Sequence, residues 1–224
     1  FRRVLFRSVG NDDLISFVNV GGGVNTGGGN DSVLLTNGAT LQGTIDGAAG
    51  IDFIGVDGGT TGRCSARICG GDGNDHIDVA GAGVGSTDSV SGGEGNDFID
   101  VEAGGVAGTV SGDGGNDDID VSGGISGTVN GNDGDDIIRQ NTDGAAGRVT
   151  GTINGGLGHD TIINQGILGN KTFGGQAGII NGDSGHGNDT ITQNDDMEEG
   201  SEINGDDGDD VITVNGGDGA NLIE

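Results

Sequence analysis

Gly70-Gly71-Asp72-Gly73-Asn74-Asp75-His76-Ile77 returns one unit later as Gly92-Gly93-Glu94-Gly95-Asn96-Asp97-Phe98-Ile99. The shared phrase is glycine, a residue that is usually Asn, Asp, any residue, then an aliphatic. Its Asp slot is held by Asp12, Asp31, Asp52, Asp75, Asp97, Asp117, Asp136, Asp160, Asp189 and Asp210, then by Asn221. Glycine always stands two residues before the slot, and Leu, Val or Ile two residues after it. The steps between slots are 19, 21, 23, 22, 20, 19, 24, 29, 21 and 11 residues, so the unit is about 21 residues long. A repeat of this length cannot bury an apolar face alone, and stacking successive copies is what closes its core.

A second regular feature sits seven residues before most slots. Val24, Ile45, Ile68, Val90, Val110, Val129, Ile153, Ile203 and Val214 recur there, and the copy before Asp189 is displaced to Ile180. Each unit therefore carries two short alternating strands, one before the glycine turn and one after the Asp. Two kinds of turn join them: the acidic glycine turn, and a neutral stretch such as Ala103-Gly104-Gly105-Val106-Ala107-Gly108. No helical period is present. Stacking in register would make one internal ladder of Ile77, Ile99, Ile119, Ile138 and Ile162, faced by Val90, Val110, Val129 and Ile153. The expectation is an all-β, right-handed parallel β-solenoid, or β-roll, of about ten coils with strands about 4.7–4.9 Å apart.

Composition sharpens this reading. The 224 residues include 55 glycines, no proline, no tryptophan and 3% aromatics, with a net charge of −28. Such a chain lacks the large side chains of an ordinary core and repels itself. A disordered glycine-rich linker would share the composition, but it would lack the elevenfold register. The charge excludes nucleic acid as a partner, because phosphate needs Lys and Arg, and it points to cations. No stretch approaches the ~18 apolar residues of a membrane span.

Residues 1–8, Phe-Arg-Arg-Val-Leu-Phe-Arg-Ser, do not fit the repeat and resemble a translated sequencing adapter. They carry three of the eight basic residues, and without them the net charge is −31. The expectation is a non-native leader at 1–8 joined to a single solenoid at 9–224, cut mid-repeat at both ends.

The phrase Gly-Gly-x-Gly-x-Asp-x-aliphatic, repeated in register from Val9 onward, resembles the RTX, or haemolysin-type, calcium-binding repeat. The resemblance implies a parallel β-roll with Ca²⁺ between successive turns. It implies carboxylate ligands from Asp75, Asp97, Asp117, Asp136, Asp160, Asp189 and Asp210, and carbonyl ligands from turn glycines such as Gly70, Gly73, Gly92 and Gly95. Asp31 and Asp52 sit in weaker copies of the turn. The family's usual unit has a calcium turn on both edges. Here the second turn has lost its Asp in most coils, so several ions are expected along one edge only. The resemblance further implies a secreted, extracellular bacterial protein exported by type I secretion machinery, in which the repeats fold on meeting calcium and the activity lies in other parts.

The residues suit that chemistry. Calcium takes 6–8 oxygen ligands at about 2.3–2.6 Å. Glycine gives turns positive φ that aim carbonyls at one point, and Asn tolerates the left-handed region better than most residues. Stacked Asp residues ~5 Å apart would repel by roughly 3 kcal/mol per pair at an effective dielectric near 20. Over the whole stack this exceeds a domain's typical stability of about 5–15 kcal/mol. Cations remove that cost. Asp78, Asp100 and Asp120 add a second aligned acidic column.

Other residues carry less. Cys64 and Cys69 allow a small disulfide loop, or two free thiols, and lack the further ligands a zinc site needs. His76, His159 and His186 flank Asp slots as exposed turn or strand residues. Gln165 to Phe173 reads as a loop bulging from one coil. No catalytic constellation is visible, so the fragment is expected not to be an enzyme. Two other functions fit a solenoid. An adhesive or ice-binding face would use Thr44, Thr109, Thr128 and Thr152, a row interrupted by Arg67 and Ser89. A β-helix enzyme acting on polysaccharide would need an acid–base pair in a groove.

Overall fold

Alternation at period two sends every second side chain inward, and this pattern builds the molecule. The computed structural model describes residues 10–11, 13–16, 22–36, 39, 41–58, 66–170, 176–183, 185–217 and 222–223. Its elements are all β-strands. They form two ten-stranded parallel sheets. The first collects the strand that follows each Asp slot, from Asp13–Ser16 to Val211–Val214. The second collects the strand that precedes each glycine turn, from Gly23–Asn25 to Glu202–Asn204, and ends on Leu222–Ile223, which follows the Asn221 slot; Val214, expected in the pre-turn column, lies in the first sheet beside Gln193. The chain alternates between the sheets, so each strand pairs with its counterparts one repeat away. This is a parallel β-solenoid of about eight turns with a period of about 22 residues. The count differs slightly from the ten coils expected. The leader at 1–8 lies outside the described residues.

The expected ladders are present. Ile77, Ile99, Ile119, Ile138 and Ile162 pair in sequence across the first sheet. Val90, Val110, Val129 and Ile153 pair across the second, and the displaced Ile180 falls into line between Ile153 and Ile203. All are buried. A third ladder was not foreseen. Val84, Val106, Ile125, Val149, Leu168 and Met197 bridge from coil to coil and fill the inside of the neutral edge. What reads as a glycine-rich turn thus has one aliphatic anchor per coil.

The segment expected as a loop at 165–173 is a strand through Leu168. Thr161–Leu168 pairs with the unusually long Ile137–Val149, with register shifts on either side of Gly144. The extra backbone at Gly166 is tucked inside. Its N–H meets Gln140 Oε1 at 2.8 Å, and its carbonyl accepts from Asn164 Nδ2 at 3.0 Å and Gln193 Nε2 at 2.9 Å. Gln140, Asn164 and Gln193 occupy the inward position held elsewhere by Val56, Val79, Val101 and Val121. Buried backbone needs partners, and these amides supply them.

Candidate metal centre

The slot carboxylates face inward. Asp31, Asp52, Asp75, Asp97, Asp117, Asp136, Asp160 and Asp189 are all buried, and Asp210 is half-buried. Each reaches back one coil. The backbone N–H of Asp75 donates to Asp97 Oδ1 at 2.7 Å, that of Asp97 to Asp117 Oδ1 at 2.8 Å, and that of Asp117 to Asp136 Oδ1 at 2.8 Å. The same bond links Asp31 to Asp52, Asp52 to Asp75, Asp136 to Asp160, Asp160 to Asp189 and Asp189 to Asp210. The turns at Asp31 and Asp52, weak in sequence, are therefore built as the strong ones are.

The second oxygen of these carboxylates is the informative atom. Oδ2 of Asp52, Asp75, Asp97, Asp117 and Asp136 is buried without a hydrogen-bond partner. A Cβ placed on Gly70 would lie 2.3 Å from Asp75 Oδ2 and 2.5 Å from the Gly92 carbonyl oxygen. On Gly92 the same atom would meet Asp97 Oδ2 at 2.2 Å and Gly112 O at 2.7 Å, and on Gly131 it would meet Asp136 Oδ2 at 2.1 Å and Gly155 O at 2.4 Å. Each coil thus gathers one carboxylate oxygen and one carbonyl oxygen from the next coil around the space a side chain would fill. Gly70 and Gly92 leave that space open and do not have positive φ. That role belongs to their neighbours, such as Gly71, Gly73, Gly93 and Gly95, with φ of 120–139°.

Burial without a counter-charge raises these acids. Stripped of water, Asp52, Asp97 and Asp136 are pushed up to about 6 and Asp117 to about 7. The backbone bond from the preceding coil pulls each back down, and neighbouring acids push it further up. Asp75 is raised for the same leading reason.

The Asn of the phrase has a different task from the one expected. Asn74, Asn96 and Asn116 are not left-handed. Their Oδ1 atoms accept from the backbone N–H one coil further on: Asn96 N to Asn74 at 3.0 Å, Asn116 N to Asn96 at 2.9 Å and Asp135 N to Asn116 at 3.0 Å. Asp reaches back and Asn reaches forward, so in the turns at Asp97, Asp117 and Asp136 consecutive N–H groups are satisfied in opposite directions.

Sequence reading missed Asp88. It is buried on the neutral edge, its Oδ1 accepts from Ala66 N at 2.9 Å, and its Oδ2 is buried without a partner. The signal was present: Asp88-Ser89-Val90 has the slot's own Asp-x-aliphatic spacing. The second acidic column is in register, Asp78 to Asp100 to Asp120, and ends on Arg139, which pairs with Asp118 and Asp120. His76 is exposed and stands edge-to-face between Phe53 and Phe98, with ring centroids 5.1 and 4.9 Å apart. The expected cysteine pair falls partly on Cys64, outside the described residues; Cys69 is a free cysteine.

Among the described residues, no three His, Cys, Asp or Glu side chains converge as a metal-holding group. Any cation in the Asp row would take much of its shell from backbone carbonyls. No helix among the described residues is long and apolar enough to cross a membrane. No family model, curated protein or solved structure matches the chain.

Proposed function

We propose that the chain is a calcium-binding structural module of a larger secreted bacterial protein, folding as it binds the ion outside the cell. One observation carries this reading: a row of buried Oδ2 atoms, each beside a glycine carbonyl of the next coil, with no hydrogen-bond donor to satisfy it. Oxygen-only donors, half of them neutral, suit a hard divalent cation. Asp52, Asp75, Asp97, Asp117, Asp136, Asp160, Asp189 and Asp210 would hold it, with carbonyls of Gly70, Gly92, Gly112 and their counterparts. Bound calcium would supply the positive charge these carboxylates lack. Among the described residues, Asp88 is the only buried acid on the neutral edge, whose inside is filled by the aliphatic ladder, which favours a one-sided row. Export by a type I system, and an activity residing in other parts of the parent protein, follow from the resemblance to RTX repeats.

The test is far-ultraviolet circular dichroism in chelator and in calcium. The chain should be largely disordered in chelator and gain β signal with calcium, and magnesium should substitute poorly because it demands a smaller octahedral shell. A complete β spectrum in chelator at neutral pH would overturn the proposal.

A further inference from the structure

We propose that the outer face of the second sheet carries a binding groove for a neutral polyhydroxylated chain, an oligosaccharide. In four consecutive coils the residue after the inner aliphatic is asparagine: Asn130, Asn154, Asn181 and Asn204, paired in register. Their side chains link head to tail. Asn154 Nδ2 donates to Asn130 Oδ1 at 2.7 Å, Asn181 to Asn154 at 2.8 Å and Asn204 to Asn181 at 2.9 Å. A carboxamide has two N–H donors and two acceptor lone pairs. The ladder uses one of each at the two central residues, leaving a donor and an acceptor per coil at a strand spacing of about 4.8 Å.

Beside this row lies a groove of about 390 Å³, lined by Asn130, Asn154 and Asn181 and floored by Gly155, Gly156 and Gly182. At Gly155 and Gly182 an added Cβ would point into the coil, toward Asp160 and Asp189, so the base of the groove is strand backbone. The rim is formed by Asn132 and Asp206, both non-glycine residues at positive φ, 84° and 68°. Asn132 holds the turn position that is Gly156 one coil on, and its Nδ2 donates to Ser111 Oγ at 2.7 Å and Asp113 Oδ1 at 3.3 Å. At the end of the row, Asn204 Oδ1 is buried without a hydrogen-bond partner.

The lining chemistry selects the ligand. It has no apolar side chain and no basic one, so it offers nothing to a hydrophobe or an anion, and the net charge of −28 repels polyanions. Vicinal hydroxyls, each donor and acceptor at once, match a row of half-used amides. The row spans three coil spacings, about 14 Å, the reach of a short oligosaccharide.

The experiment is isothermal titration of the full chain, folded in calcium, with maltohexaose, cellohexaose and xylohexaose, and with the hexamer of galacturonate as the anionic probe. At least one neutral hexamer should bind. Asn154→Ser, which breaks the ladder, and Asn132→Gly, which removes a rim amide while relieving positive φ, should each weaken binding about tenfold. Circular dichroism checks the fold of each variant, and if Asn154→Ser fails to fold, Asn132→Gly decides. Silence from all three neutral hexamers at millimolar concentration would overturn the proposal. So would equal binding by folded Asn132→Gly, or tighter binding of the galacturonate hexamer. The groove needs only the fold: were the chain folded in chelator, the calcium reading would fail while this titration would still be run.

Discussion

At the residue scale, Gly92 and Asp97 are one unit: the glycine lacks the Cβ that would crowd the carboxylate. Adding that Cβ places it 2.2 Å from Asp97 Oδ2 and 2.7 Å from a backbone oxygen that cannot swing away. Gly92→Ala should therefore cost about 1–3 kcal/mol as an overpacked site and raise the calcium midpoint for folding. Gly23→Ala, with nothing within 4 Å of its added Cβ, should change neither; urea melts in calcium compare the two. The five-residue spacing of glycine and Asp in most coils was legible in the sequence, but its reason was not. A glycine kept for space and one kept for positive φ look identical as letters, and only packing across coils separates Gly92 from Gly93. The same holds for Asn96, whose partner lies one repeat away. The carboxylates also set a pH response. In the folded, metal-free chain Asp52, Asp97 and Asp136 titrate near 6 and Asp117 near 7, above an unfolded value near 3.9. A raised folded value means the folded state holds protons more tightly. That contribution to stability is fully present below the unfolded value and is lost as pH rises through about 6–7. In chelator, β signal should therefore grow as pH falls from about 7 toward 4. In calcium the trend should reverse, because protons compete with the ion for the same oxygens. A flat circular-dichroism profile in chelator across that window would refute the assignment of these shifts to buried slot acids.

At the element scale, each strand is short and gains its stability from the ladders it joins. Period-two alternation made both strands of most coils readable, because most inward positions were aliphatic, glycine or Asp. The pairing of Ile138 with Ile119 and Ile162 followed from spacing alone. Reading failed where that code changes. Gln140, Asn164 and Gln193 look like surface residues, yet all three are completely buried, bound to the strand extension at Gly166 that was expected to be a loop. An amide at an inward slot predicts backbone inside the coil, an inference available only once the slot is known to face inward. The neutral-edge ladder stayed hidden for a related reason: one aliphatic among glycines gives no period of its own. Gln193 bonds Gly166 O, Asp195 O and Asn164 Nδ2. Gln193→Leu keeps the volume but removes these bonds; Gly166 O keeps Asn164 Nδ2, while the second N–H of that buried amide loses its acceptor, at about 1–3 kcal/mol for a buried unsatisfied group. Val101→Leu, a change of size alone in the same ladder, is the comparison. Chemical denaturation in calcium should rank Gln193→Leu as more damaging, and the reverse order would show that the amide cluster is dispensable.

At the scale of the whole molecule, the chain has few contacts between distant parts. Each coil touches its two neighbours, so stability is close to a sum over coils and interfaces. Against that sum stand 55 glycines, each costly to order, and a net charge of −28. A stack held only by its aliphatic ladders would carry a row of buried carboxylates with raised pKa and no counter-charge. A cation row would both cancel this repulsion and join coil to coil, making folding and binding one event. The consequences of losing one carboxylate then depend on where it sits. Asp97 links two coils in the middle of the 224-residue chain: its Oδ1 holds the Asp75 N–H, and its own N–H is held by Asp117. Asp97→Ala should weaken the sites on both sides and divide the stack into two shorter ones, each with fewer stabilising interfaces. Asp31→Ala perturbs the second strand of the first sheet and leaves the eight strands beyond it stacked as before. The calcium midpoint for folding, followed by circular dichroism on each variant of this chain, should rise more for Asp97→Ala than for Asp31→Ala. In Asp31→Ala a low-amplitude early phase should separate from an otherwise unchanged main transition. Equal midpoints would mean that the carboxylates act independently, as a set of separate surface sites, and that the coils are not coupled through the ions between them.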